Sequence, residues 1–219
     1  QVMDDKTYHI RFLVHGTTTH GIQVREPEYE KTPTTYFWKG GPAGNIFDVY
    51  APKKVAVIGL GAGTLNCYSN PSNEFTFFEI NPAAISIASN PSLFTFLSAC
   101  KAKRPPRIIE GDGRLEMQKL PASEKFDLIA LDAFSSDAIP AHLLTLEAIK
   151  VYLDHLNPKG ILLLHISNRY FDLAKILAVN ARELDLKSRT VLNKPYNVFY
   201  AVPSIWYVMA RQGVSLSPL

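Results

Sequence analysis

From position 53 onward, short apolar runs recur along the chain, most of them ending at a glycine or an acid. Val55 to Ile58, Glu74 to Ile80, Arg107 to Ile109, Phe126 to Leu131 and Ile161 to Ile166 are the clearest. Within them apolar residues occupy consecutive positions rather than alternate ones, as strands buried on both faces do. The stretches between them read differently. Asn81-Pro82 opens a helix, with proline tolerated in the first turn. Leu146, Ile149, Leu153 and Leu156 fall at helical spacing, and Asn157-Pro158-Lys159-Gly160 stops that helix. A further helix is expected around Asp172 to Leu186, followed by strands at Ser188–Leu192 and Ser204–Ala210 with no helix between them. Strands alternating with helices predict a mostly parallel sheet covered on both faces, and the last two strands predict an antiparallel hairpin.

Ahead of this region Tyr8 to Val14 and Ile22 to Val24 flank a Thr/Gly turn, which reads as a β-hairpin. Arg25 to Pro33 is charged and broken by prolines, a loop. Thr34-Thr35-Tyr36-Phe37-Trp38 leads into Gly40-Gly41-Pro42-Ala43-Gly44, where no regular structure is expected. The aromatic cluster either packs on the core or walls a pocket, and Tyr36 is the member that brings a hydroxyl. The chain thus divides into a hairpin region, residues 1–45, and a main body, residues 46–219.

The candidate chemistry lies where the apolar runs end. Gly59, Gly61 and Gly63 follow the Val55–Ile58 run, so the backbone can turn tightly and a ligand can approach it closely. A dinucleotide loop needs glycine at its sixth position, and here that position is Thr64; the spacing fits a nucleoside-binding loop of the methyltransferase type better. Glu79 stands about 20 positions beyond Gly59, where such a fold places an acid whose two oxygens match two vicinal ribose hydroxyls. Asp112, in Glu110-Gly111-Asp112-Gly113, is either a turn residue or an acceptor for the adenine amino group. Asp132 ends the Phe126–Leu131 run, on the side of a parallel sheet where ligands sit. Asp137 is a natural cap for the following helix, with Pro140 in its first turn. His165 reads as a core residue. His15 and His20 have no carboxylate or cysteine at ligand spacing, so no metal site is expected.

Composition narrows the function classes. The chain has 219 residues, 47% of them hydrophobic and 20% charged, enough for one ordinary globular domain with a sizeable core. A net charge of +3, without a long Lys/Arg run, gives no support to a nucleic-acid partner. No apolar segment reaches the ~18 residues that a membrane span requires. The opening Gln1 to Tyr8 is polar and acidic, unlike a signal peptide, and a start at Gln1 suggests a processed or excised fragment. Cys67 and Cys100 are expected to be two reduced, buried thiols of a cytoplasmic protein.

Taken together, these motifs resemble the polyamine aminopropyltransferases, the spermidine synthase family, and most of all the spermidine-synthase-like domains that bacteria fuse behind membrane helices. The resemblance rests on His-Gly-Ile-Gln at 20–23, Thr-Tyr-Phe at 35–37, the Gly59–Thr64 loop, Phe-Phe-Glu-Ile-Asn-Pro at 77–82, Gly-Asp-Gly-Arg at 111–114 and Leu-Asp-Ala-Phe-Ser-Ser-Asp-Ala-Ile-Pro at 131–140. It implies an α/β fold: a Rossmann-like, S-adenosylmethionine-dependent methyltransferase-type doubly wound sheet behind a small N-terminal β-hairpin domain. It also implies decarboxylated S-adenosylmethionine as co-substrate, a small-molecule amine as acceptor, a homodimer, and a cytoplasmic placement, with a membrane domain upstream. Carried over residue by residue, Glu79 holds the ribose, Asp112 the adenine, and Gln23 borders the nucleoside. Asp132 takes the proton of the attacking amine beside Tyr36, and Asp137 anchors the far end of a diamine. A late tyrosine of the family corresponds to Tyr200 or Tyr196.

Two departures from the family pattern bear on the reaction. The family's loop carries an aspartate facing the amine of the aminopropyl group, whereas Ala62 and Gly63 stand here. Asp132 and Asp137 are also two residues farther apart than in the compact family motif. In this chemistry the sulfonium leaves as a neutral thioether, and the difficulty lies in the nucleophile, an alkylammonium of pKa ~10 with no lone pair. A carboxylate at the strand end receives its proton; a second acid positions the other end of a diamine. The missing loop acid favours a methyltransferase using intact S-adenosylmethionine, whose carboxylate an acid would repel. A nucleoside-binding regulatory domain without turnover is the third reading.

Overall fold

The computed structural model describes residues 1–16, 18–134, 139–168 and 171–217. A small antiparallel sheet holds β1 (Val2–Asp5), β2 (Ile10–His15) and β3 (Thr18–Val24). The large sheet takes β4 (Lys54–Ile58), β5 (Glu74–Glu79), β6 (Arg107–Glu110), β7 (Phe126–Leu131), β8 (Leu156–His165), β9 (Leu186–Asn193) and β10 (Ser204–Arg211). Its spatial order is β6-β5-β4-β7-β8-β10-β9. From β6 to β8 neighbours run parallel, while β10 lies antiparallel between β8 and β9. This is the doubly wound, methyltransferase-type sheet with its closing hairpin.

The consecutive apolar positions have a direct cause. On one face Ala56, Ile58, Phe78, Ile129 and Leu131 pack with residues of α5 (Leu146–Asp154) and α6 (Leu173–Glu183), including Ile149 and Leu177. On the other, Val55, Val57, Phe77, Leu128 and Ala130 pack with Ile46 of α1 (Pro42–Tyr50). Both parities of each strand are therefore buried, and each large side chain removed from water contributes roughly 1.5–3 kcal/mol.

Several expectations need correction. Gly40 to Gly44 is not wholly irregular: α1 starts at Pro42, capped by Gly41, because proline suits the first helical position. The helix after β7 begins at Leu146, and its cap is Thr145, whose side chain accepts from Ala148 N–H. Leu156 to Gly160 does not end that helix. It opens β8 with a bulge, Phe126 pairing with Leu156 and Leu128 with Ile161. The turn after β6 becomes α4 (Gly113–Gln118), which Asp112 caps. The N-terminal region has three strands, β1 having escaped the sequence reading because its residues are polar.

The cysteines are not reduced thiols. Cys67 lies in the 3-10 turn Thr64–Tyr68 that follows the glycine loop, and Cys100 directly follows α3 (Phe96–Ala99). They form a disulfide across a separation of 33 residues, with Cα atoms 5.0 Å apart. Only the packing of α3 against that turn brings them together. Among the described residues no helix is long and apolar enough to cross a membrane.

Candidate active site

Five consecutive strands of the large sheet, β6, β5, β4, β7 and β8, direct their carboxyl ends at one cavity of about 880 Å³. Gly59 follows β4, Glu79 ends β5, Asp112 follows β6, Asp132 follows β7 and His165 ends β8, and all five line it. The small sheet supplies the opposite wall through His15 and His20.

The floor is the glycine loop. Gly61 has φ +54°, and a Cβ there would lie 2.4 Å from the His20 carbonyl oxygen, so glycine lets β3 dock on the loop. Gly61 and Gly59 line the cavity, whereas Gly63 faces Leu97 of α3 instead. Ala62 is 1% exposed and packed with Leu13, Phe94 and Phe96, so the loop presents no carboxylate to the cavity.

Glu79 is fixed by its own neighbourhood. Its Oε2 accepts from Leu60 N–H at 2.9 Å and its Oε1 from Asn81 N–H at 2.9 Å. Each oxygen keeps a lone pair for a further donor, so two vicinal hydroxyls fit. Asp112 is likewise held on both oxygens. Oδ1 accepts from Leu115 N–H at 3.0 Å, and Oδ2 lies 2.7 Å from His142 Nε2. Burial pushes its pKa up, but the Leu115 and His142 bonds outweigh it and leave the carboxyl below its ordinary value.

Asp132 is more enclosed than Asp112, its side chain 11% exposed against 18%. Tyr36 donates its hydroxyl to Oδ2 at 2.8 Å, and His165 Nδ1 lies 2.8 Å from Oδ1. Tyr36 reaches this place because Thr35 donates its N–H to the Tyr200 carbonyl at 2.7 Å, tying the aromatic segment to the approach of β10. Burial, and then the Asp132 charge, raise the phenol well above its usual acidity range, so it stays a donor. The aromatic cluster thus walls a pocket after all, through Tyr36.

Other predicted residues stand elsewhere. Gln23 is buried outside the cavity lining, its Nε2 donating to Thr95 Oγ1 at 2.6 Å and its Oε1 accepting from Thr95 N–H at 3.0 Å. It braces the segment before α3 and does not border the cavity. Tyr200 packs edge-on against Tyr29 and Phe199, also outside the lining, and Tyr196 is 85% exposed. Asp137 lies outside the described residues. Among those residues no group of three or more His, Cys, Asp or Glu could hold a metal.

Sequence reasoning passed over His165, His142 and His20. His165 had a usable signal: it ends a parallel strand as Asp132 follows one, and Leu131 pairs with Leu164, which sets residues 132 and 165 side by side. His142 had none, since its meeting with Asp112 depends on the chain after β7 returning to the start of α4. The Nε2 atom of His20 is buried without a hydrogen-bond partner among the described residues.

No protein-family model matches the chain. Over 124 residues, 55% of the chain, it is 29% identical to a polyamine aminopropyltransferase of Vibrio vulnificus (strain CMCP6). That match spans 39% of the curated relative's length. The fold is similar to that of a probable spermidine synthase from Corynebacterium glutamicum ATCC 13032, with a TM-score of 0.68, 15% identity, and 96% of this chain and 76% of the other covered. A spermidine synthase in complex with the transition state analogue AdoDATO gives 0.60 and 21%, covering 77% of this chain and 58% of its own. Human methyltransferase-like protein 13 in complex with SAH gives 0.56 and 16%, covering 80% of each. The resemblance to polyamine aminopropyltransferases seen in the motifs is thus matched by a relative in sequence and by the fold, which is shared with methyltransferases.

Proposed function

We propose that this spermidine-synthase-like chain transfers an aminopropyl group from decarboxylated S-adenosylmethionine to a di- or polyamine. One observation carries the reading: Asp132, held from both sides by Tyr36 and His165, faces the cavity whose floor is the glycine loop. Glu79 would hold the ribose hydroxyls and Asp112 the adenine amino group, through lone pairs their fold-internal bonds leave free. The sulfonium would then lie across Gly59 and Gly61 with its propyl arm toward Asp132. As the amine nitrogen attacks, the carbon–sulfur bond breaks, the thioether leaves neutral, and a nitrogen-bound proton passes to Asp132. The sulfonium charge nearby also disfavours the protonated amine before attack.

Methyl transfer from intact S-adenosylmethionine is the second reading, and Ala62 supports it, since no loop acid repels the donor's carboxylate. Calorimetry with both donors in parallel separates the two; a clear preference for the intact donor overturns the first. Nucleoside binding without product from a panel of amines would leave a regulatory domain. A homodimer with a membrane domain upstream belongs to the family reading and is checked by sedimentation of the full-length protein. The disulfide counts against the cytoplasmic placement, because disulfides persist mainly in oxidising compartments.

A further inference from the structure

Behind Asp132 runs a directed chain of hydrogen bonds that the transfer chemistry does not itself require. His165 is 4% exposed, and its ring stands 3.9 Å from that of Tyr36, 4.6 Å from that of Trp206 and 4.9 Å from that of Phe134, between centroids. It cannot turn over without displacing them. Its Nδ1 lies 2.8 Å from Asp132 Oδ1 and its Nε2 2.8 Å from Ser167 Oγ. Ser167 Oγ in turn accepts from Ile205 N–H at 2.8 Å.

The direction of each bond follows from what each group can give. An ionised carboxylate only accepts, so the hydrogen between His165 and Asp132 sits on Nδ1. Ser167 has one hydroxyl hydrogen, and among the described residues the Nε2 lone pair is the acceptor that its oxygen meets, Ile205 N–H being a donor. Every donor therefore points toward Asp132: Ile205 to Ser167, Ser167 to His165, and His165 to Oδ1, with Tyr36 donating to Oδ2.

We propose that His165 is a positioning residue for Asp132, held by the Ser167 hydroxyl as the Nδ1–H tautomer. The inference rests on the reading of Asp132 as the acceptor of the amine's proton. Two donors on opposite oxygens fix the plane of the carboxylate and leave its remaining lone pairs facing the cavity. The proton that leaves the amine stays on Asp132. His165 takes none from it, because Nδ1 already carries a hydrogen. The group acts by orientation, where a displacement of about 1 Å can cost about 10²-fold in rate.

Nitrogen-15 spectra of histidine-labelled protein test this without any turnover. The chain has six histidines, and the signals lost in His165→Gln identify the one in question. We expect its Nδ1 protonated and its Nε2 bare. In Asp132→Asn, the tautomer held by Ser167 should persist, the amide oxygen accepting from Nδ1–H and the amide NH2 turning to the Tyr36 oxygen. Ser167→Ala should shift Nε2 alone. An Nε2–H tautomer in the unaltered protein, or an Nε2 signal unmoved by Ser167→Ala, overturns the proposal. In turnover, His165→Leu should lower kcat about 10²-fold at unchanged donor KM, and His165→Gln, which keeps a donor, should recover most of it. Equal loss in both variants also overturns it. If the tautomer behaves as expected while no amine yields product, only the transfer reading fails.

Discussion

The backbones of Gly59 and Asp132 meet in contact: a Cβ on Gly59 would lie 2.2 Å from the Asp132 carbonyl oxygen. The turn that floors the cavity and the acid at its reactive end are therefore one mechanical unit. Gly59 also has φ +99°, a region that side chains other than glycine rarely adopt. Gly59→Ala should cost roughly 1–3 kcal/mol of stability and weaken donor binding. Thermal unfolding and calorimetry check both, and a variant with unchanged donor affinity would separate the loop from the site.

Asp132→Asn keeps the shape and removes the base. Turnover should fall by about 10²–10⁴-fold while the donor still binds nearly as before, since Glu79 and Asp112 are untouched. Steady-state rates beside direct donor titration give the answer. A fully active variant would refute the assigned role.

Glu79→Gln should show the opposite division. The amide loses a charge-assisted acceptor toward the ribose, worth roughly 1.5–3 kcal/mol, so donor affinity should drop about 10-fold or more. At saturating donor, kcat should change little. A lowered kcat with unaltered affinity would place Glu79 outside the donor site.

Acid should destabilise the protein in two steps. Burial lowers the His20 pKa from its ordinary 6.5, against the opposing charges of Asp132 and Glu79. Just below pH 6.5 the unfolded chain thus binds a proton that the folded one refuses, so stability falls as pH falls. Asp112, depressed below 3.8, contributes stability above that value and loses it as pH drops through its folded pKa. Denaturant unfolding across this range should show both descents, and His20→Gln should flatten the upper one alone.

Cutting the Cys67–Cys100 link should loosen the cradle from behind. A loop closed over 33 residues stabilises by about 3–4 kcal/mol on chain-entropy grounds. Cys67→Ser should lose stability of that order. Thiol titration of the unaltered protein under denaturing, non-reducing conditions should find no free sulfhydryl; two would remove the link.

The strands were legible in the sequence because burial on both faces leaves an uninterrupted apolar run, and so was the place where they end. Gly59, Gly61, Glu79, Asp112 and Asp132 could be picked out by their position at those ends, since a parallel sheet gathers successive strand termini on one side. Local pattern failed where a feature depends on two distant segments meeting. Asn157 to Gly160 looks like a helix stop and is a strand bulge, because pairing with β7 overrides the turn chemistry. Gln23 matches a motif, yet its amide is engaged by Thr95. His165 looks like core until Tyr36, Ser167 and Asp132 surround it, and Cys67 looks solitary until α3 brings Cys100 beside it. Periodicity and strand-end position are properties of the chain and can be read along it; hydrogen-bond partners and disulfides belong to the packing, which only the tertiary structure decides.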